Sequence, residues 1–367
     1  MEKTTAVRRD AETGTSFGAR HQSGPAGGAR RQLRALSNVD PALRRSWLPV
    51  TRAATVGTSP TKAWLLGEPF VVVRIDGEVV VLEDRCPHRS APLSSGAVVG
   101  SALECAYHGW RFDGAGRCVE IPSLGAAGPF PPKARCGAPY AVVERYGLVF
   151  VALEEPLVEL PDIGAFGEES RVRVDLDPFS GRYGAAQLID NQLDVAHFAY
   201  LHRDTFGSPD GRAAPSSEIV RQPWGFEART TVPISARNDP AVASGDHPVE
   251  QDRTMTYRYL APFFVELELA YPVMGGSNVI VFFVQPETAE RSTMYVTLLL
   301  EQPGGFTPDE LADRVAFEYR VVGEDLALQE RFDDLAMPLD VTTECHVRAD
   351  RASLELRRVL TQIVHAP

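Results

Sequence analysis

Two short segments of the chain gather residue types that hold metal. Cys86-Pro87-His88 is followed, after sixteen intervening residues, by Cys105-Ala106-Tyr107-His108. Each half offers one thiolate and one imidazole. Two thiolates on one iron and two imidazoles on the other make the ligand set of a mixed two-iron two-sulfur cluster, whose potential lies well above that of an all-cysteine cluster. The interleaved order suits that division, because each loop can give its cysteine to one iron and its histidine to the other. Imidazole ligands also leave N–H groups that can titrate as the cluster changes charge. Zinc takes the same residue types, but its usual sites keep the cysteines together and the histidines together.

The second segment is Asn191-Gln192-Leu193-Asp194-Val195-Ala196-His197-Phe198-Ala199-Tyr200-Leu201-His202. Asn191, Asp194 and His197 fall three apart, along one side of a helix. His202 comes five residues after His197, about 140° round an ideal helix at roughly 100° per residue. For both imidazoles to meet one ion, a helix over 188–203 must end or bulge between them, a distortion that tends to mark functional sites. Two histidines and a carboxylate on one face of an octahedral ferrous ion leave positions open for dioxygen and a substrate.

These segments need elements to hold them. Residues 71–75 and 78–82 are β-branched runs around Asp76-Gly77, which predicts a hairpin, since both turn residues must tolerate positive φ. Strands over 141–144 and 148–153, turning at Tyr146-Gly147, complete a small antiparallel domain. A stretch rich in Pro, Gly and acids, 154–169, reads as a linker. Longer strands are expected at 254–260, 263–271, 278–284 and 292–300. Thr307-Pro308-Asp309-Glu310 makes a helix start, with an N-cap Thr, Pro in the first turn and acids at the positive end of the dipole. That helix should run past Asp325, and another should cover about 348–364. Residues 1–38, poor in apolar periodicity, read as a disordered tail. The domains expected are therefore 39–155 and 160–367, with no internal repeat.

At 367 residues, 44% apolar, the chain can bury two cores. A net charge of −12 supplies no field for phosphates or anionic lipid, so nucleic acid and membrane surfaces are not expected partners. No apolar run is long enough to span a bilayer and no secretory leader is evident, so a cytoplasmic protein is expected. Five cysteines, an odd number, argue against a disulfide framework and for reduced thiols. Cys118 and Cys136 read as buried packing thiols, and His21, His247, His346 and His365 lack metal-like spacing. Asp190 reads as a helix-surface acid. Phe263, Phe264, Tyr271, Phe282 and Phe283 read as core aromatics on strands rather than site residues.

Cys86-Pro87-His88-Arg89, Pro92-Leu93, Gly96, Cys105, Tyr107-His108-Gly109-Trp110, Phe112 and Gly116 together resemble the Rieske domain of the Rieske non-haem iron oxygenases. The likeness continues into 191–202. It implies an α+β fold, an all-β Rieske [2Fe-2S] domain followed by a catalytic domain with a curved antiparallel sheet and helices. It implies cluster ligation by Cys86, His88, Cys105 and His108, and a mononuclear Fe(II) held by His197, His202 and a distant aspartate. Asp325 matches that aspartate best, although Phe332 departs from the family's pattern and leaves Glu324 and Asp333 as alternatives. The resemblance also makes Asp194 a bridge between His197 and the cluster histidine His108 of a neighbouring subunit. A carboxylate there can accept a hydrogen bond from each imidazole and fix both tautomers.

By the same likeness, electrons from NAD(P)H arrive through a flavin-containing reductase, with or without a ferredoxin. O2 is the cosubstrate and a homotrimer the assembly, because a head-to-tail contact closes only in a ring. The absence of a GxGxxG or P-loop agrees with an external nucleotide site. Modest length points to a monooxygenase or demethylase acting on a small molecule, by hydroxylation, demethylation, N-oxygenation or oxidative cyclisation. A ring-dihydroxylating dioxygenase is the alternative. From other classes, a Rieske electron carrier would leave 160–367 unexplained, and a non-catalytic ligand-binding homologue would have no use for His197 and His202.

Overall fold

The computed structural model describes residues 35–125, 129–237, 239–302 and 304–367. Positions 1–34 of the expected tail lie outside them. Residues 35–38, which were also assigned to that tail, are part of the fold. Ala35–Leu36 pairs antiparallel with Met337–Pro338, and Leu36 and Asn38 are buried. Asn38 donates to the Tyr183 carbonyl at 2.9 Å and accepts from the Ala185 amide at 2.8 Å, so a polar side chain ties residue 38 to the C-terminal half.

The N-terminal half is built from three small antiparallel sheets. One contains Thr61–Leu65, Glu68–Ile75 and Glu78–Glu83. Its second turn is the expected Asp76-Gly77, with φ of 51° and 86°. A four-stranded sheet, Ala97–Val99, Ala102–Glu104, Arg111–Phe112 and Cys118–Glu120, carries the loop after Cys105. The third joins Ala141–Arg145, Leu148–Ala152 and Leu48–Arg52.

The C-terminal half is an eight-stranded antiparallel sheet. From one edge its order is Glu218–Gln222, Gly225–Ser235, Glu250–Leu260, Phe264–Ala270, Ser277–Thr288 and Arg291–Leu300. Val172–Asp175 and Phe179–Gly181 both pair with the last of these. Along Glu250–Leu260, buried Gln251, Arg253, Met255, Tyr257 and Tyr259 alternate with less buried neighbours, the period of a strand with one face on the core. Ser277–Thr288 and Arg291–Leu300 are buried almost throughout, because the N-terminal half covers their other face. The amides of Leu66 and Gly67 donate to the Pro286 and Glu287 carbonyls at 2.8 Å each, and one continuous apolar core runs through both halves.

The described residues also form five α-helices: α1 (Ala185–Leu193), α2 (Phe198–Leu201), α3 (Pro240–Ser244), α4 (Pro308–Gln329) and α5 (Arg351–His365). α4 begins at the Thr307 capping box, with the Glu310 amide on Thr307 Oγ1 at 3.3 Å and the Thr307 amide on Glu310 Oε2 at 2.8 Å. Phe317, Glu318, Val322, Asp325, Leu326 and Gln329 recur at helical spacing on its buried face. α1 packs against α4, α5 and two sheet strands. No helix among the described residues is long and apolar enough to cross a membrane.

The expected helix over 188–203 is interrupted earlier than its spacing suggested. α1 stops at Leu193, and Asp194 is extended, with φ −90° and ψ 136°. Its side chain accepts from the Ala196 amide at 2.8 Å, the local bond by which aspartate leaves one helix and starts the next turn. His197 and His202 therefore bracket the single turn of α2, rather than lying either side of a break.

Candidate metal centres

Two loops of the N-terminal half share one hydrogen-bond pattern. The Cys86 amide donates to the Ala91 carbonyl at 2.8 Å and the Ser90 amide to the Cys86 carbonyl at 2.9 Å. In the second loop, the Cys105 amide donates to the Trp110 carbonyl at 2.8 Å and the Gly109 amide to the Cys105 carbonyl at 3.0 Å. In each, the fourth residue after the cysteine is left-handed: Ser90 at φ 58°, Gly109 at φ 71°. Glycine takes that conformation freely; Ser90 takes it at a steric cost.

The two cysteines are 2% exposed, whereas His88 and His108 face outward with ring centroids 4.4 Å apart. Trp110 stacks on His88 at 4.6 Å and 6° between planes. Burial, and then the neighbouring Cys105 thiol, push the Cys86 thiol up to about 11. Two adjacent buried thiols under two outward imidazoles fit a cluster with its sulfur-ligated iron inside and its nitrogen-ligated iron at the surface. Cys118 and Cys136 lie buried in the same core, as packing residues do.

The second centre lies between the sheet and α4. His197 Nε2 and His202 Nε2 are 3.2 Å apart. Asp325 Oδ1 stands 3.2 Å from the second and 3.5 Å from the first. Three cis ligands each roughly 2.1 Å from one ion would lie about 3 Å apart, so the spacing fits. Asp325 Oδ1 is buried without a hydrogen-bond partner, an orphaned acceptor that a cation would satisfy. Burial opposes charge on His197, yet the Asp194 and Asp325 carboxylates outweigh it and push the imidazole up to about 9. The same imidazoles hold Asp325 well below the usual carboxylate range in spite of its burial. The three groups thus attract positive charge to one point.

The outer nitrogens are held as firmly. His202 Nδ1 lies 2.7 Å from Glu324 Oε2, which also accepts from Thr205 Oγ1 at 3.0 Å. His197 Nδ1 lies 3.1 Å from Asp194 Oδ2. In the neutral imidazole, a carboxylate on Nδ1 keeps the ring N–H there and leaves Nε2 as the free donor atom aimed inward. Of the three acids considered for the third ligand, Asp325 faces both imidazoles, Glu324 orients one from outside, and Asp333 is exposed.

Asp190 is not the surface acid expected. Its Oδ2 accepts from Arg357 Nη1 at 3.0 Å and its Oδ1 from Ser353, because α1 packs on α5 and the guanidinium compensates the buried charge. The cleft beside this pair reaches Asp194, which keeps 33% of its side chain exposed.

Above the His–His–Asp group lies a pocket walled by Phe198, Phe206, Met255, Tyr257, Phe282 and Phe317 among others. Phe282 is the one aromatic of those read as core that reaches it, whereas Phe263, Phe264 and Phe283 pack elsewhere. Its wall comes from alternate residues of three strands, from α1 and α4, and from the 197–206 segment, a convergence that no local motif announces.

Residues 46–137 match the Rieske [2Fe-2S] domain family, and 184–366 match the vanillate O-demethylase oxygenase C-terminal domain family. Methylxanthine N3-demethylase NdmB of Pseudomonas putida is 28% identical over 343 residues, covering 90% of this chain and 92% of that protein. Dicamba O-demethylase oxygenase component of Stenotrophomonas maltophilia is 33% identical over 171 residues, 44% of this chain and 48% of its own. The solved structure of NdmA of Pseudomonas putida CBB5 with caffeine superposes with a TM-score of 0.75 at 25% identity, over 90% of this chain and 97% of that one.

Proposed function

The chain belongs to the Rieske non-haem iron oxygenases, and from that premise we propose that Asp325, His197 and His202 hold its catalytic iron and that Cys86, His88, Cys105 and His108 hold its cluster. The family makes it an iron-binding oxidoreductase that monooxygenates small organic molecules. Demethylation at nitrogen or oxygen is the outcome proposed, since NdmB and dicamba O-demethylase are named for those reactions. The single observation carrying the reading is the orphaned Asp325 Oδ1 facing two Nε2 atoms beneath a cavity.

The iron would supply O2 binding and reductive activation at the open face of the triad. This chain's residues supply the rest. Asp194 and Glu324 fix the imidazole tautomers, and the aromatic wall keeps water from the reacting centre. Asp194 keeps a third of its side chain exposed, and a bridge from it to His108 of the partner subunit would give electrons a short polar path between chains. That path requires a ring, so a homotrimer is proposed. The electrons would come from NAD(P)H through a flavin-containing reductase, with or without a ferredoxin, in the cytoplasm.

The test is turnover of candidate N- and O-methylated substrates by the iron-loaded chain with a reductase, followed by mass spectrometry under labelled O2. Reductase-dependent loss of a methyl group with formaldehyde release supports the reading. An electron carrier or a binding-only homologue would consume no O2 with any substrate and would hold about two irons per chain rather than about three.

A further inference from the structure

The wall of the cavity over the His–His–Asp group is largely apolar, and beyond that group its polar side chains are Asn191, Gln192, Tyr257, Glu318 and Arg253. Arg253, on the inward face of Glu250–Leu260, is 6% exposed and lines it beside Met255 and Tyr257. Among the described residues its side chain makes no ion pair, and its Nε has no hydrogen-bond partner. Its contacts are aromatic: the guanidinium lies 4.5 Å from the Phe206 ring centroid and 5.8 Å from that of Phe198. Arginine has five donors, no acceptor and a permanent charge, so a buried guanidinium stacked on phenyl rings is left short of partners. A buried charge in that state costs several kcal/mol unless something pairs with it.

Glu318, 8% exposed on α4, is the other charged group on the wall outside the His–His–Asp group. It forms no ion pair with Arg253, and burial pushes its carboxyl up, towards the neutral form. The positive charge therefore stays open to whatever enters the cavity.

Resting on the oxygenase reading above, we propose that Arg253 is the specificity-determining residue of this site. The substrate class is a compact, largely apolar carboxylate whose anionic oxygens pair with the guanidinium. Phe206 stacks on His202 at 4.9 Å and 26°, so a single ring separates the guanidinium from an iron-ligand imidazole. An acid anchored at Arg253 then presents atoms about one ring's width from its carboxylate to the reacting centre. Planar, bidentate pairing with carboxylate is what the guanidinium fork provides.

The test is calorimetric binding to the holoenzyme under nitrogen, without reductase. The probes are benzoate, 3- and 4-methoxybenzoate and cyclohexanecarboxylate, each beside its methyl ester and primary amide. For at least one scaffold the acid is expected to bind about 10- to 100-fold more tightly than ester and amide, the worth of a charge-assisted hydrogen bond. Arg253→Met should erase that ratio without weakening the ester, and Arg253→Lys, which keeps the charge, should retain part of it. The proposal is overturned if no acid outbinds its ester and amide, including the case in which nothing binds, or if the preference survives in Arg253→Met. Because binding is read without turnover, acid preference in a chain that fails to oxygenate would separate this inference from the functional reading.

Discussion

The two candidate metal centres solve opposite problems with the same residue types. The proposed cluster ligands sit on surface loops, with thiols buried and imidazoles outward. The triad sits under a sheet, with His202 1% and Asp325 4% exposed. A centre that only passes electrons gains from a histidine edge reachable by another protein. A centre that generates an oxidant gains from a dry wall that directs it. The loops also hold themselves, through matched backbone hydrogen bonds, whereas the triad imidazoles are held by Asp194 and Glu324. One site depends on main-chain turns, the other on side-chain carboxylates.

That contrast can be broken in stages. Asp325→Ala removes a proposed direct ligand, so turnover should fall by more than the roughly 100-fold typical of outer partners. Iron should drop from about three to about two per chain, with the cluster's visible spectrum unchanged; retained turnover would break the assignment. Asp194→Asn keeps the ligands and weakens the link, so steady-state turnover should fall about 10- to 100-fold at unchanged iron content. Stopped-flow reduction of the mononuclear site would show whether electron arrival is what slowed. Glu324→Gln should act through His202 alone, lowering iron affinity by about tenfold in a chelator competition and leaving the loops untouched. Thr307→Ala, at the exposed start of α4, should cost about 1 kcal/mol in denaturant unfolding with both centres full. Loss of iron in that variant would mean that the α4 start, not the carboxylates, sets the triad.

Legibility in the sequence followed the same divide. The two loops stand out in the sequence because their residue types are local: a cysteine and a histidine recur within four residues in each. Asp76-Gly77 and the Thr307 capping box were readable for the same reason, each being set by neighbours a few residues away. The break in the helix was misplaced because helical spacing counts residues and cannot weigh an Asp194 side chain that prefers its own Ala196 amide. Asp190 was misread because its partner, Arg357, lies 167 residues away. Glu324 and Asp325 could be separated only once α4 was docked, since adjacent residues on a helix point about 100° apart and only one can face the imidazoles. Arg253 carried no sequence signal, since the strand expected there began one residue after it, at Thr254, and only the structure extends it back to Glu250.

The most direct test of the central claim, two unlike iron centres in one chain, is iron quantification paired with electron paramagnetic resonance on the anaerobically reduced protein, beside His197→Ala and Cys86→Ser. The account expects about three irons and a nitrogen-ligated cluster signal in the native chain. His197→Ala should lose one iron and keep the signal, and Cys86→Ser should lose the signal. A native chain with about two irons, unaffected by His197→Ala, would contradict it.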